Sequence, residues 1–291
     1  MKKGFGKYQM NLFYIPALVL FALFVIYPFI RGVFFSTTNW NGYSQAYKNV
    51  GLRNYVKMFS DKNFYTALIN TLVYGVGSTL LQNILGLALA LFLNSRFSGR
   101  KALRAIIYLP VMIAPLIMGY IMYFFFTYNH GALNDILQFF GKAPLDWMAV
   151  GPRAVALMTL VNALQFVGVS MVIYLAGLQN IPSMYYEAAA IDGVGVFAQF
   201  RYITLPLLYP AVQSSVVINL IGGLKLYDII SALTSGGPGY ASHSLSTLIH
   251  RTYFGSENAG YASAIGLAAF LLILILSTVV TRALAKKEVE T

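Results

Sequence analysis

The residues with the most chemistry to offer sit inside the most apolar stretches of this sequence. Within 154–178, Asn162, Gln165, Phe166 and Val169 recur at i, i+3, i+4 and i+7, the spacing that places them on one face of a helix. Amides beside an aromatic ring can hydrogen-bond hydroxyl groups and stack on an apolar ring face. Within 207–227 and just past it, Gln213, Asn219, Gly222, Lys225 and Asp228 form a second polar concentration. Polar groups in hydrocarbon are costly, so such residues face neighbouring helices or a water-filled path. Two readings stay open: contact between helices accounts for the same amides, and Lys225 and Asp228 have the spacing of a helical ion pair.

Nucleophilic, metal and nucleotide chemistry is not supported. Cysteine is absent, which removes disulfides, thiolate metal sites and cysteine nucleophiles. His130, His243 and His250 have no carboxylate at ligand spacing and are expected at the surface. Ser170, Ser214 and Ser215 are not embedded in G-x-S-x-G. Gly193-Val194-Gly195-Val196-Phe197-Ala198 matches a dinucleotide fingerprint in letters, but that fingerprint needs a preceding strand and a helix is expected there. No G-x-x-x-x-G-K-[ST] occurs to cradle a phosphate. Catalytic residues and metal ligands are expected to be absent.

The elements that must position the polar residues follow from composition. The 291 residues are 58% hydrophobic and 10% charged, against roughly a quarter charged in soluble domains. Six apolar blocks stand out, at 12–30, 67–93, 105–127, 154–178, 207–227 and 260–284, and about 20 apolar residues span a bilayer as a helix. The first block follows Lys2, Lys3 and Lys7 like a leader, but Arg31, Phe34, Phe35 and Trp40 follow it instead of a small-residue cleavage site. It is expected to remain as an uncleaved span.

The net charge of +11 lies in short flanking stretches, which reads as topology and not as nucleic-acid binding. Lysines at the N-terminus, Arg96, Arg100, Lys101 and Arg104 between blocks two and three, and Arg282, Lys286 and Lys287 at the C-terminus put both ends in the cytoplasm. The outer segment 31–66 carries five cations of its own over a longer loop. Outer segments hold Trp40, Tyr43, Tyr47, Trp147 and the turn Gly236-Gly237-Pro238-Gly239. Tyr55, Met58, Phe59 and Ala67 have the spacing of an interfacial helix. The expected fold is an all-α integral membrane protein, one transmembrane domain over 1–291 with six transmembrane helices.

Of the segments between spans expected in the cytoplasm, 179–206 is the longest. Ser183 is expected to N-cap a short helix through Glu187 and the alanines, and Gly193 is where it can turn. A second short helix is expected from Val196 to Tyr202, with Pro206 in the first turn of the next span. With few charges, such a helix-turn-helix suits docking into a groove on a partner; an interfacial helix without a partner is the plainer alternative.

Glu187-Ala188-Ala189, three residues, Gly193, nine residues and Ile203-x-Leu205-Pro206 resemble the permeases of binding-protein-dependent ABC importers. Tyr227, Asp228, Leu233, Thr234, Ser235, Gly236, Gly237, Pro238, Ala241 and Ser242 resemble the maltose-type sugar branch of that family. Asn39-Trp40-Asn41-Gly42 and Gly51-Leu52-Arg53-Asn54-Tyr55 look like that branch too. The resemblance implies a coupling helix at Glu187, Ala188, Ala189, Ile191, Asp192 and Gly193 that docks on an ATP-binding subunit. It also implies a sugar path lined from the spans on either side, at Asn162, Gln165, Phe166, Val169, Asn219, Gly222, Lys225 and Asp228. Expected partners are a second permease, two ATP-binding subunits carrying ATP and Mg, and an extracytoplasmic solute-binding protein, in a prokaryotic inner membrane. No cofactor is expected on this chain. A permease for glycerol phosphate or a polyol shares these features, and Lys225 would suit a phosphate. An ion-coupled secondary transporter would explain the polar stripes without needing the loop.

Overall fold

The structure, a computed structural model, describes residues 14–285. Lys2, Lys3, Lys7, Lys286 and Lys287, and the first two residues of the block at 12–30, lie outside the described residues. Contacts group the chain into two units, one up to residue 61 with Ile249–Ala269, the other Lys62–Leu248 with residues from 270 onward.

In the first unit, α1 (Tyr14–Ser36) is a long apolar helix with a widened turn at Ala22–Ile26. The loop after it is held by its own asparagines. Asn39 Oδ1 accepts the Lys48 amide at 2.7 Å, Asn41 Oδ1 accepts the Tyr43 and Ser44 amides, and Asn49 Oδ1 accepts the Gly51 amide. Asn54, buried in α2 (Arg53–Ser60), donates to the Ser36 and Thr38 carbonyls at 2.8 Å each. Trp40 stacks on Phe35 with ring centres 4.0 Å apart. Short polar side chains bonding nearby backbone substitute for secondary structure here, so both motifs at 39–42 and 51–55 build this loop.

In the second unit, α3 (Lys62–Asn94) carries a widened turn at Val73–Gly77. At 33 residues it is on the order of 50 Å long, more than a bilayer core requires. Next come α4 (Arg100–Met112), α5 (Pro115–Phe126), α6 (Ala132–Phe139) and α7 (Gly151–Gln179). Then follow α8 (Met184–Ile191), α9 (196–207), α10 (Tyr209–Leu224), α11 (Asp228–Leu233) and α12 (Leu245–His250), whose last two residues belong to the first unit. The last helix, α13 (Ala259–Ala285), runs through residues of both units.

Among the described residues, five helical stretches are long and apolar enough to cross a membrane, α10 and α11 counting together as Tyr209–Leu233, and the pair α4 and α5 makes a sixth if counted as one. That pair departs from the straight helix expected over 105–127, because it bends by 97°. Ala114 precedes Pro115 and is extended at φ −56°, ψ 134°, as the proline ring forces on the residue before it.

Helices pack closely where glycines leave room. A Cβ on Gly223 of α10 would lie 2.7 Å from Ser78 Oγ and 2.9 Å from the Gly75 Cα of α3, and one on Gly177 of α7 would lie 2.7 Å from the Ala211 Cβ. Small residues permit such approach where lipid supplies no hydrophobic drive. Gly223→Val is therefore expected to cost about 1–3 kcal/mol through overpacking, visible as a lower amount of chain in the membrane fraction and a lower unfolding temperature.

Candidate functional site

Residues of α3, α5, α7 and α10, together with the break between α10 and α11, enclose a cavity of about 390 Å³. Gln82 of α3, Pro115 of α5 and Asn162, Phe166 and Val169 of α7 line it on one side. Ile218, Asn219, Gly222 and Gly223 of α10, with Lys225, Leu226, Tyr227 and Asp228 where the fifth span is interrupted, line the other. The i, i+4, i+7 repeat along α7 thus brings one amide, one ring and one branched aliphatic group to the same space.

Each lining residue has a distinct state. The buried Asn162 amide has no side-chain hydrogen bond among the described residues, while its main-chain carbonyl accepts from Gln82 Nε2 at 3.1 Å. Asn219 donates to Ser170 Oγ at 2.7 Å, tying α10 to α7. A Cβ on Gly222 would meet nothing within 4 Å, so this glycine leaves open space on the cavity side. Amides, a phenyl ring and a phenol around one void can hold a hydroxylated solute by hydrogen bonds and ring stacking.

Gln165 and the Lys225–Asp228 spacing play other parts in the structure than a shared lining or an ion pair. Gln165 does not line the cavity; its Nε2 donates to the Ile113 carbonyl at 3.0 Å. The bend between α4 and α5 frees that carbonyl, and a buried acceptor needs a donor. Lys225 and Asp228 form no ion pair among the described residues. Helical i, i+3 geometry needs a continuous helix, but α10 ends at Leu224 and α11 starts at Asp228. Lys225 caps the C-terminal end of one and Asp228 lies in the first turn of the other, where helix dipoles favour those charges.

Sequence reasoning missed Gln82, Pro115, Ile218, Gly223 and Leu226, and singled out Tyr227 only through the resemblance. Gln82 carried a signal, since it is an amide within an apolar block four residues before Gly86, whose missing Cβ admits Ser170.

The block from Thr234 to Thr247 is folded inward. His243 is 2% exposed, not at the surface as expected of all three histidines, whereas His130 and His250 are exposed. The His243 ring occupies the space a Cβ on Gly236 would take, and its Nδ1 lies 2.9 Å from Thr247 Oγ1. Asn70 donates to the Ala241 and His243 carbonyls, and the Tyr74 hydroxyl to that of Ser242. No group of three or more His, Asp and Glu suited to a metal exists among the described residues.

The segment 179–206 forms two short helices at a sharp turn. α8 ends with Gly193 at φ +70°, where the Val194 amide bonds the Ala189 carbonyl and the Gly193 amide that of Ala190; this paired closure favours glycine. Ser183 precedes α8 but its hydroxyl caps nothing. Its backbone is helical and its main-chain carbonyl takes the Tyr186 and Glu187 amides. α9 begins at Val196 but widens over Phe200–Thr204 and runs on to Leu207. Pro206 lies in that short helix instead of opening the next span, since α10 starts at Tyr209. Ala189 is buried and the Tyr186 hydroxyl lies 2.9 Å from Thr204 Oγ1, holding α8 to α9. Glu187, Ala188, Asp192 and Gly193 face outward, with Ile191 87% and Phe197 81% exposed.

The sequence model of the binding-protein-dependent transport system inner membrane component family matches residues 82–288. YurN of Bacillus subtilis, a probable ABC transporter permease protein, is 36% identical over 91% of this chain and 92% of its own. MalF of Thermococcus litoralis, a trehalose/maltose transport system permease protein, is 34% identical over 89% of this chain and 88% of its own. The structure of a bacterial alginate ABC transporter in complex with alginate pentasaccharide-bound periplasmic protein aligns with a TM-score of 0.81 at 24% identity, covering 94% of this chain and 92% of that one. That likeness is one of fold.

Proposed function

This chain belongs to the family of binding-protein-dependent transport system inner membrane components, and from that premise we propose that it passes a neutral sugar or oligosaccharide through the membrane as the permease subunit of an ABC importer. The cavity carries the reading: it gathers Asn162, Phe166, Val169, Asn219, Gly222, Lys225 and Asp228 around a void of solute size. The curated relative from Thermococcus is named for trehalose and maltose. Lys225 alone would suit a phosphate or carboxylate, but Asp228 shares the lining and cancels its charge.

ATP and Mg belong to two partner subunits, because this sequence has no phosphate-cradling loop. The exposed apolar residues Ile191, Val196 and Phe197 beside Glu187 and Gly193 form the surface that docks on an ATP-binding subunit. A second permease completes the path, and an extracytoplasmic binding protein delivers solute, as the periplasmic protein in the alginate complex supports by analogy. Closure of the ATPase pair moves α8 and α9 and opens the cavity to the other side. The chain sits in a prokaryotic cell membrane with both termini in the cytoplasm, a topology supported by Arg96, Arg100, Lys101 and Arg104 between α3 and α5.

Uptake of neutral and uronate oligosaccharides by the assembled importer tests the solute class. Wild type is expected to take up the neutral series, and Asp228→Asn to shift the ratio toward uronates about five- to tenfold by removing a like charge from the path. Preference for the uronates by the wild type would overturn the neutral assignment.

A further inference from the structure

We infer that Ser244 is a positioning residue that clamps the broken fifth span and so sets the shape of the cavity. The break leaves main-chain carbonyls without helical partners. The Ser244 hydroxyl, fully buried, donates to the Leu226 carbonyl at 2.7 Å. Ser246 Oγ reaches the Lys225 carbonyl at 3.4 Å. Leu226 and Lys225 both line the cavity.

The same hydroxyl serves a second helix end. It accepts the Thr247 amide at 3.2 Å while Thr247 Oγ1 accepts the Ser244 amide at 2.9 Å, a reciprocal cap on α12. A hydroxyl has one proton and two lone pairs, so its single proton is committed to Leu226. The neighbouring Leu245 amide donates to Thr71 Oγ1 of α3 at 2.8 Å, anchoring the clamp to the bundle. Ser244 thereby links the buried stretch Ser242–Leu245 to the backbone that aims Lys225, Tyr227 and Asp228.

The consequence for transport rests on the proposed solute role of the cavity; the clamp itself does not. In the intact importer, hydrogen exchange over 222–230 is expected to be about tenfold faster in Ser244→Ala, from loss of one hydrogen bond. Ser246→Ala should give a smaller change in the same direction. Thr247→Val removes the side-chain arm of the reciprocal cap but keeps the Leu226 bond, so it should leave 222–230 unchanged. Preference between a disaccharide and a trisaccharide should shift several-fold in Ser244→Ala at wild-type membrane abundance. Unchanged exchange over 222–230 in both serine variants, or equal acceleration in Thr247→Val, would overturn the clamp. Faster exchange with unaltered preference would uphold the clamp and overturn the cavity as the solute path.

Discussion

Glu187→Lys combined with Gly193→Trp is expected to abolish solute uptake while the chain stays in the membrane at its normal level. Both positions face outward and a Cβ at Gly193 meets nothing within 4 Å, so neither substitution disturbs the buried contacts of Ala189 or the Tyr186–Thr204 pair. The tryptophan must adopt φ near +70°, which costs a non-glycine residue roughly 1–2 kcal/mol, and its indole projects from the exposed turn between α8 and α9. Reversing a charge at a docking surface costs about 2–5 kcal/mol when it becomes buried and unpaired, on the order of a 30- to 4,000-fold loss of affinity. Uptake and membrane abundance are measured together, and normal uptake would remove the coupling role from this segment.

Gly222→Trp is expected to stop uptake by filling the cavity, again without loss of the folded chain. The space beside Gly222 is empty, so an indole has somewhere to go, and that space belongs to the cavity proposed as the solute path. A barrier of this kind should reduce uptake by about 100-fold or more, since an overpacked site resists insertion by several kcal/mol. The adjacent Gly223→Val provides the contrast, because its Cβ meets Ser78 and Gly75 of α3 and should lower abundance instead. Unaltered uptake by Gly222→Trp would place the solute elsewhere.

Much of this architecture was legible because membrane solvation imposes simple patterns. Long apolar blocks became helices, and the period of Asn162, Phe166 and Val169 put them in one cavity. Gly193 turned the exposed loop because only glycine enters the left-handed region freely. Two of the failures share a cause, for both depended on where a helix breaks. The bend at Ala114–Pro115 drew Gln165 away from the cavity to the Ile113 carbonyl, and the interruption after Leu224 separated Lys225 from Asp228. Pro110 and Pro115 stood in the third block as a warning of that bend. The burial of His243 depended on tertiary contacts with Gly236 and Thr247, which no local pattern announces. The motifs at 39–42 and 51–55 carry only a resemblance in the sequence; in the structure Asn39 and Asn54, with Asn49 between the motifs, hold the loop.

The importer assignment is tested most directly by purifying the tagged chain from its own membranes in mild detergent and identifying what accompanies it by mass spectrometry. An ATP-binding subunit and a second permease are expected to co-purify, and Glu187→Lys with Gly193→Trp should lose the ATP-binding subunit alone. Recovery of the chain without either partner, from membranes whose other complexes survive the same detergent, would contradict an ATP-driven importer and favour a transporter that works on an ion gradient.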